Sequence, residues 1–299
     1  MASRILNYRL LDVFADSPLK GNQLAVFLDT GELSVEEMQE IAREMNLSET
    51  TFVLNPEDDA HSPGGIRARI FTVEEELPFA GHPTLGTSFV LQEILGRKEI
   101  SLSLKVGKVD VTFIEGEKGL YGEMVQPEPV FGKTHRREDI AEILRISQVE
   151  IDESIPIESV STGNEFIIVP LKHKETLEKI QPDFGLMDKY IEEHGGHFFY
   201  LVSRETVDKD AILHARMIFY GGEDPATGSA AGPAAAWLLK HGILPPEMKT
   251  FIEQGIEMKR PSRIYVQGSL KNGIPTDIRV GGYCFNVGSG NIIIPNQTQ

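Results

Sequence analysis

The feature that most limits how this chain can fold is a repeat of itself. His82-Pro-Thr-Leu-Gly-Thr87 aligns with Asp224-Pro-Ala-Thr-Gly-Ser229, at an offset of 224 − 82 = 142 residues. The same offset places Gly21-Asn22 on Gly163-Asn164, and each pair precedes an apolar run, Leu24–Leu28 and Phe166–Val169. Ala68-Arg-Ile-Phe71 resembles Ala215-Arg-Met-Ile-Phe219 at nearly the same separation. One matched dipeptide means little, but three matches in the same order argue for an internal duplication. A period of about 140 residues is too long for a solenoid. The reading is two similar domains, 1–126 and 127–289, with 290–299 as a candidate closing strand of the first. The 299 residues suit two domains at about 150 each.

Each half offers strands and one helix that is apolar on nearly all sides. In the first half, Leu10–Phe14, Leu24–Leu28, Thr50–Leu54 and Ile66–Phe71 read as strands. Ser34 and Glu37 form a capping box for a helix whose apolar face is Val35, Met38, Ile41, Ala42 and Met45. Residues 55–65 read as a loop. Pro83 is placed as the first residue of a buried helix running to Leu95, with Gly96 closing it. The counterpart runs from Asp224 as N-cap to His241, closed by Gly242, with Pro233 expected to kink it or delay its start. The expected architecture is α/β (α+β): two pseudo-symmetric domains, each a curled mixed sheet around a buried central helix. Two such domains packed face to face make a cleft, where ligand sites favour domain interfaces. Helix N-termini aimed into it suit a small carboxylate.

Composition narrows the partners. Lys plus Arg is 29 and Asp plus Glu is 45, a net charge of −16. That balance argues against a nucleic-acid partner and against an anionic membrane surface. A single cysteine excludes any two-thiol mechanism and suits a reducing, cytoplasmic compartment. The start lacks a signal-peptide pattern, and no run approaches 18 apolar residues.

Three side chains have chemistry suited to such a cleft. Glu49 follows a helix break at the entrance to a strand; burial habit alone makes it a solvated turn glutamate, and position makes it a candidate acid/base. His82 lies just before the proline-started helix, and Asp224 takes the equivalent place in the second copy. Asn22, Gly81, Gly228 and Ser229 offer an amide, backbone N–H groups and a hydroxyl nearby. Other patterns fail. Gly222 to Gly228 has the wrong spacing for a phosphate loop, and no dinucleotide fingerprint or G-x-S-x-G occurs. The eight histidines are scattered, so no metal is expected. Cys284 reads as packing.

Three segments bear a family resemblance: Ile41-Ala-Arg-Glu-Met-Asn-Leu-Ser-Glu-Thr-Thr-Phe-Val-Leu54, Glu76-Leu-Pro-Phe-Ala-Gly-His-Pro83 and Glu223-Asp-Pro-Ala-Thr-Gly-Ser-Ala-Ala-Gly-Pro233, with Gln254-Gly255 in support. They resemble the PhzF-like proteins of phenazine biosynthesis, which share the diaminopimelate-epimerase-like fold. The resemblance implies a homodimer and a cofactor-independent isomerase of the trans-2,3-dihydro-3-hydroxyanthranilate isomerase type, moving a proton on a small cyclic or amino-acid-like carboxylate. It implies Glu49 as acid/base, His82 and Asp224 as its supporting pair, and a ligand pocket of Asn22, Ser48, Gly81, Gly228 and Ser229. The related racemases place a cysteine near each helix start, and this chain has none there. An amino- or hydroxy-acid epimerase, or a catalytically silent binding protein on the same scaffold, are the alternatives.

Overall fold

A helix without a polar face needs protein on every side. The computed structural model describes residues 3–195, 198–219 and 222–295, and in it a curled sheet encloses each of the two apolar helices. The chain divides into two units, Met1–Met124 with Gly282–Gln299, and Val125–Gly281.

The first unit contains β1 (Ser3–Val13), β2 (Asn22–Phe27), α1 (Val35–Met45), β3 (Glu49–Val53), α2 (Pro56–Asp59), β4 (Ile66–Phe71), β5 (Glu76–Leu77), α3 (Gly81–Leu95), β6 (Glu99–Leu104), β7 (Gly107–Gly116) and β8 (Gly119–Val125). The second contains β9 (Val130–Thr134), α4 (Arg137–Leu144), β10 (Glu158–Ser161), β11 (Glu165–Leu171), α5 (Lys174–Lys179), α6 (Phe184–His194), β12 (Phe198–Ser203), β13 (Leu213–Phe219), β14 (Gly222–Asp224), α7 (Gly228–Lys240), β15 (Thr250–Gln254) and β16 (Ser262–Lys271). A long last strand, β17 (Ile274–Pro295), pairs with β16 through Gly281 and with β1 from Cys284 onward.

The pairings repeat in the same order. In the first unit β1–β2 is antiparallel, β2–β3 parallel, β3–β4 and β4–β5 antiparallel, β4–β6 parallel, and β6–β7 antiparallel. In the second, β10–β11, β11–β12, β12–β13, β13–β14, β13–β15 and β15–β16 follow with the same six senses. The copies also share a polar clamp. Arg69 donates to both carboxylate oxygens of Glu76 at 2.8 and 2.6 Å, and Arg216 to both of Glu223 at 2.9 and 2.7 Å. Both members are displaced by 147 residues (216 − 69 and 223 − 76). Each fork ties a strand to the short hairpin strand that leads into the central helix.

Alternation along the strands sorts side chains between two layers. In β2, Leu24 faces α3, while Ala25 and Phe27 join Phe52, Phe71 and the α1 residues Met38, Ile41 and Ala42. Gly86 lets α3 come this close: a Cβ there would lie 2.6 Å from Leu24 and 2.8 Å from Val13. In the second unit α7 packs on β10, β11 and β16. The opposite face of that sheet, through Ile167, Val169, Phe199 and Leu201, packs against α4, α5 and α6.

Local details refine the sequence reading. The Ser34–Glu37 capping box is present. Val35 is 44% exposed, so the buried stripe of α1 is narrower than the pattern implies. The 55–65 loop contains the single turn α2. Helix α3 begins at Gly81, with Pro83 third; proline costs nothing there, because first-turn N–H groups lack helical partners anyway. Asp224 is not the cap of α7. Its backbone pairs with Met217 in β14, which keeps it extended, and Thr227 is the N-cap. The helix therefore starts late, at Gly228, and continues past Pro233.

The Arg216–Glu223 fork is largely shielded from water, so breaking it leaves a guanidinium short of its partner. Glu223→Gln is expected to lower stability by about 1–2 kcal/mol. The urea midpoint should fall while the slope stays unchanged; an unmoved midpoint would remove the fork from the stability of this hairpin.

Candidate active site

In the first unit, three elements deliver polar side chains to one end of the sheet. Parallel β2 and β3 place Leu24 opposite Glu49. Asn22 opens β2 and Glu49 opens β3, so both lie at the same end. Asn46 closes α1 in the left-handed region (φ 51°), which turns the chain so that Ser48 and Glu49 enter β3. The start of α3 arrives at this end. His82 Nδ1 lies 3.1 Å from Asn22 Nδ2, and His82 Nε2 lies 3.5 Å from Glu49 Oε2.

The protonation of this trio follows from its surroundings. Burial pushes His82 down to about 3, and its hydrogen bond with the Gln23 backbone opposes this only in part. The ring is neutral at physiological pH, so its approach to Glu49 is not an ion pair. Nδ1 faces the Asn22 amide, whereas Nε2 approaches Glu49 without hydrogen-bond geometry. Asn22 and His82 are buried; Glu49 and Ser48 are half-buried. Gly81 and His82 form the first turn of α3, which has no acidic side chain and no side-chain cap. The positive end of the helix dipole therefore lies beside the trio.

In the second unit, Asp224 is buried at the end of β14. The Thr227 hydroxyl donates to its Oδ2 at 2.6 Å. Gln254 Nε2 donates to the Asp224 carbonyl at 2.7 Å and to Thr227 Oγ1 at 2.9 Å, while the Tyr200 hydroxyl donates to Gln254 Oε1 at 3.1 Å. Gly255 permits this approach of β15 to the loop: a Cβ there would lie 2.5 Å from the Pro225 carbonyl oxygen. Gly228 and Ser229 form the first turn of α7, with Ser229 half-buried.

Of the residues that sequence reasoning named, the structure brings Asn22, Glu49 and His82 together, with Ser48 and Gly81 their chain neighbours. In the second unit Asp224, Gly228 and Ser229 share one loop and helix start. Thr227 and Tyr200 went unnamed: the first reads as an ordinary residue of the loop, the second as core of an apolar strand. Cys284 is buried opposite Val13, and burial followed by the Glu93 charge pushes its thiol up. Among the described residues no helix is long and apolar enough to cross a membrane.

Residues 11–290 match the model of the family described as phenazine biosynthesis-like protein. The chain belongs to this family. It is 35% identical to the trans-2,3-dihydro-3-hydroxyanthranilate isomerase of Pseudomonas chlororaphis, over 96% of this chain and 99% of that protein. The solved structure of a PhzF-family phenazine biosynthesis protein of Bacillus anthracis matches with a TM-score of 0.87 at 28% identity, covering 97% and 100% of the two chains. A hydroxyproline epimerase of Agrobacterium vitis shares the fold alone, with a TM-score of 0.66 at 11% identity over 98% and 94%. The PhzF-like chain thus has a mixed, sheet-dominated epimerase-like fold and stands among isomerases.

Two buried histidines of this PhzF-like chain respond to pH in opposite senses. For His214, burial alone would lower its pKa, but hydrogen bonds to Glu253 and Glu257 outweigh it and hold it up at about 9. The unfolded chain binds a proton near 6.5 that folded His82 refuses. The His82 contribution is therefore complete above about 6.5 and is lost as pH falls toward 3. The His214 contribution is complete below about 6.5 and is lost as pH rises through 9. NMR titration of the ring signals should show His82 flat from about pH 8 to 5 and His214 changing near 9. A His82 midpoint near 6.5 would overturn the neutral assignment.

Proposed function

We propose that this chain is a cofactor-independent isomerase that moves a proton on a small cyclic or amino-acid-like carboxylate. Glu49 is the acid/base, and His82 and Asp224 support it. The observation that carries this reading is the neutral His82 ring held between Asn22 and Glu49, at 3.1 and 3.5 Å. A carboxylate can take a proton from carbon and return it elsewhere on the same face of a substrate. A neutral imidazole beside that carboxylate adds no opposing charge. The uncapped starts of α3 and α7 offer donors for substrate charge, from Gly81, Gly228 and Ser229, with Ser48 as a further contact. The first substrate to try is trans-2,3-dihydro-3-hydroxyanthranilate, which a relative 35% identical is named for.

The test is Glu49→Gln, an isosteric change at a half-buried site. Turnover is expected to fall about 100-fold or more while the melting temperature stays near that of the parent. Reaction in deuterated water should give a product with a migrated double bond. An unchanged rate removes Glu49 from the mechanism. Deuterium appearing in recovered, inverted substrate replaces the isomerase reading with an epimerase.

A further inference from the structure

Around Asp224 every hydrogen bond given above has a fixed direction, and the directions form a chain. Tyr200 is buried; burial, and then the Asp224 charge, push its phenol above its ordinary range, so it remains a donor. Its proton goes to Gln254 Oε1, which also accepts from the Thr227 backbone N–H at 3.3 Å. Two donors on that oxygen prevent the amide from flipping. The NH2 end is therefore committed to the Asp224 carbonyl and Thr227 Oγ1. With Oγ1 accepting from Gln254, the Thr227 proton is left to point at Asp224 Oδ2, 2.6 Å away. The cap of α7 bears the mark of this commitment: Thr227 is the N-cap residue, yet its hydroxyl makes no capping bond to the helix.

We propose that Thr227 and Gln254 are positioning residues for Asp224, with the Gln254 amide orienting the Thr227 hydroxyl so that it donates to the carboxylate. Tyr200 locks the amide. The role of these residues in turnover rests on the reading of Asp224 as part of the reacting set, but the hydrogen-bond relay does not. A fixed donor on Oδ2 holds the carboxylate in one orientation and favours its ionised form.

The experiment follows the Asp224 carboxyl carbon by NMR titration of the full chain labelled with carbon-13 aspartate, assigned with Asp224→Asn. Thr227→Val keeps the shape and removes the donor. It is expected to raise the Asp224 midpoint by about one pH unit or more, whereas Thr227→Ser keeps it within a few tenths. Gln254→Met should raise the midpoint when Thr227 is present and have no further effect in the Thr227→Val background. Melting temperatures confirm that each variant is folded; if Gln254→Met is not, the valine and serine variants decide the matter. An unmoved midpoint in folded Thr227→Val overturns the proposal, as does an equal Gln254→Met effect in both backgrounds. The titration needs no turnover. A parent protein without isomerase activity therefore sinks the functional reading while leaving this one to its own result.

Discussion

Everything in each unit depends on enclosing a helix that has no polar face. Helix α3 is buried from Gly81 through Leu91, and α7 is buried at nearly every position. A flat sheet covers one side of such a helix, whereas a curled one covers several. Helix α3 accordingly touches β1, β2, β3, β6 and β7. The first turn of the enclosed helix is buried too, from Gly81 through Thr84, and lies at one end of the sheet. The strands that open there, β2 and β3 in the first unit, bring their first side chains to that turn. Asn22, Glu49 and His82 meet because an apolar helix had to be wrapped.

The wrapping was legible because it is written in composition. Leu85 to Leu91 carries no charged residue, and the repeat at 142 residues says that the arrangement occurs twice. Helix starts were less legible, because local rules compete with pairing. Asp224-Pro225 has the grammar of a cap, but Asp224 pairs with Met217 and Thr227 holds the cap position. The forks of Arg69 on Glu76 and Arg216 on Glu223 were not read at all. Arginine and glutamate are common surface residues, and only the register of β4–β5 and β13–β14, which sets Glu76 opposite Phe71 and Glu223 opposite Ile218, puts each pair diagonally across its hairpin.

The candidate site divides in the same way. Residue type and position pointed to Glu49 and His82, but could not say whether their side chains meet. Their contact depends on the parallel register that puts Leu24 beside Glu49, which no local pattern encodes. Around Asp224 the unread part is larger. Thr227 and Tyr200 are ordinary in sequence, and their role comes from polar groups that burial obliges to find partners. Gln254 sits on one face of β15; its neighbour Glu253, on the other, accepts from the Val207 and Asp208 backbones and from His214. One strand thus fastens two loops because successive side chains point to opposite faces.

His82 and His214 show how little burial alone decides. Both side chains are almost wholly removed from water. His82 is offered an amide and a carboxyl oxygen at 3.5 Å, and it falls to about 3. His214 is gripped at 2.8 Å by a carboxylate on each nitrogen, and it rises to about 9. Two charge-assisted hydrogen bonds can offset the cost of burying an imidazolium, whereas a longer contact with one carboxyl does not. The difference matters for chemistry. A cation beside a carboxylate favours its anionic form, which serves structure, as His214 does for Glu253 and Glu257. Under the proposed reading of Glu49 as acid/base, the neutral His82 ring beside it serves a group that must both take and give a proton.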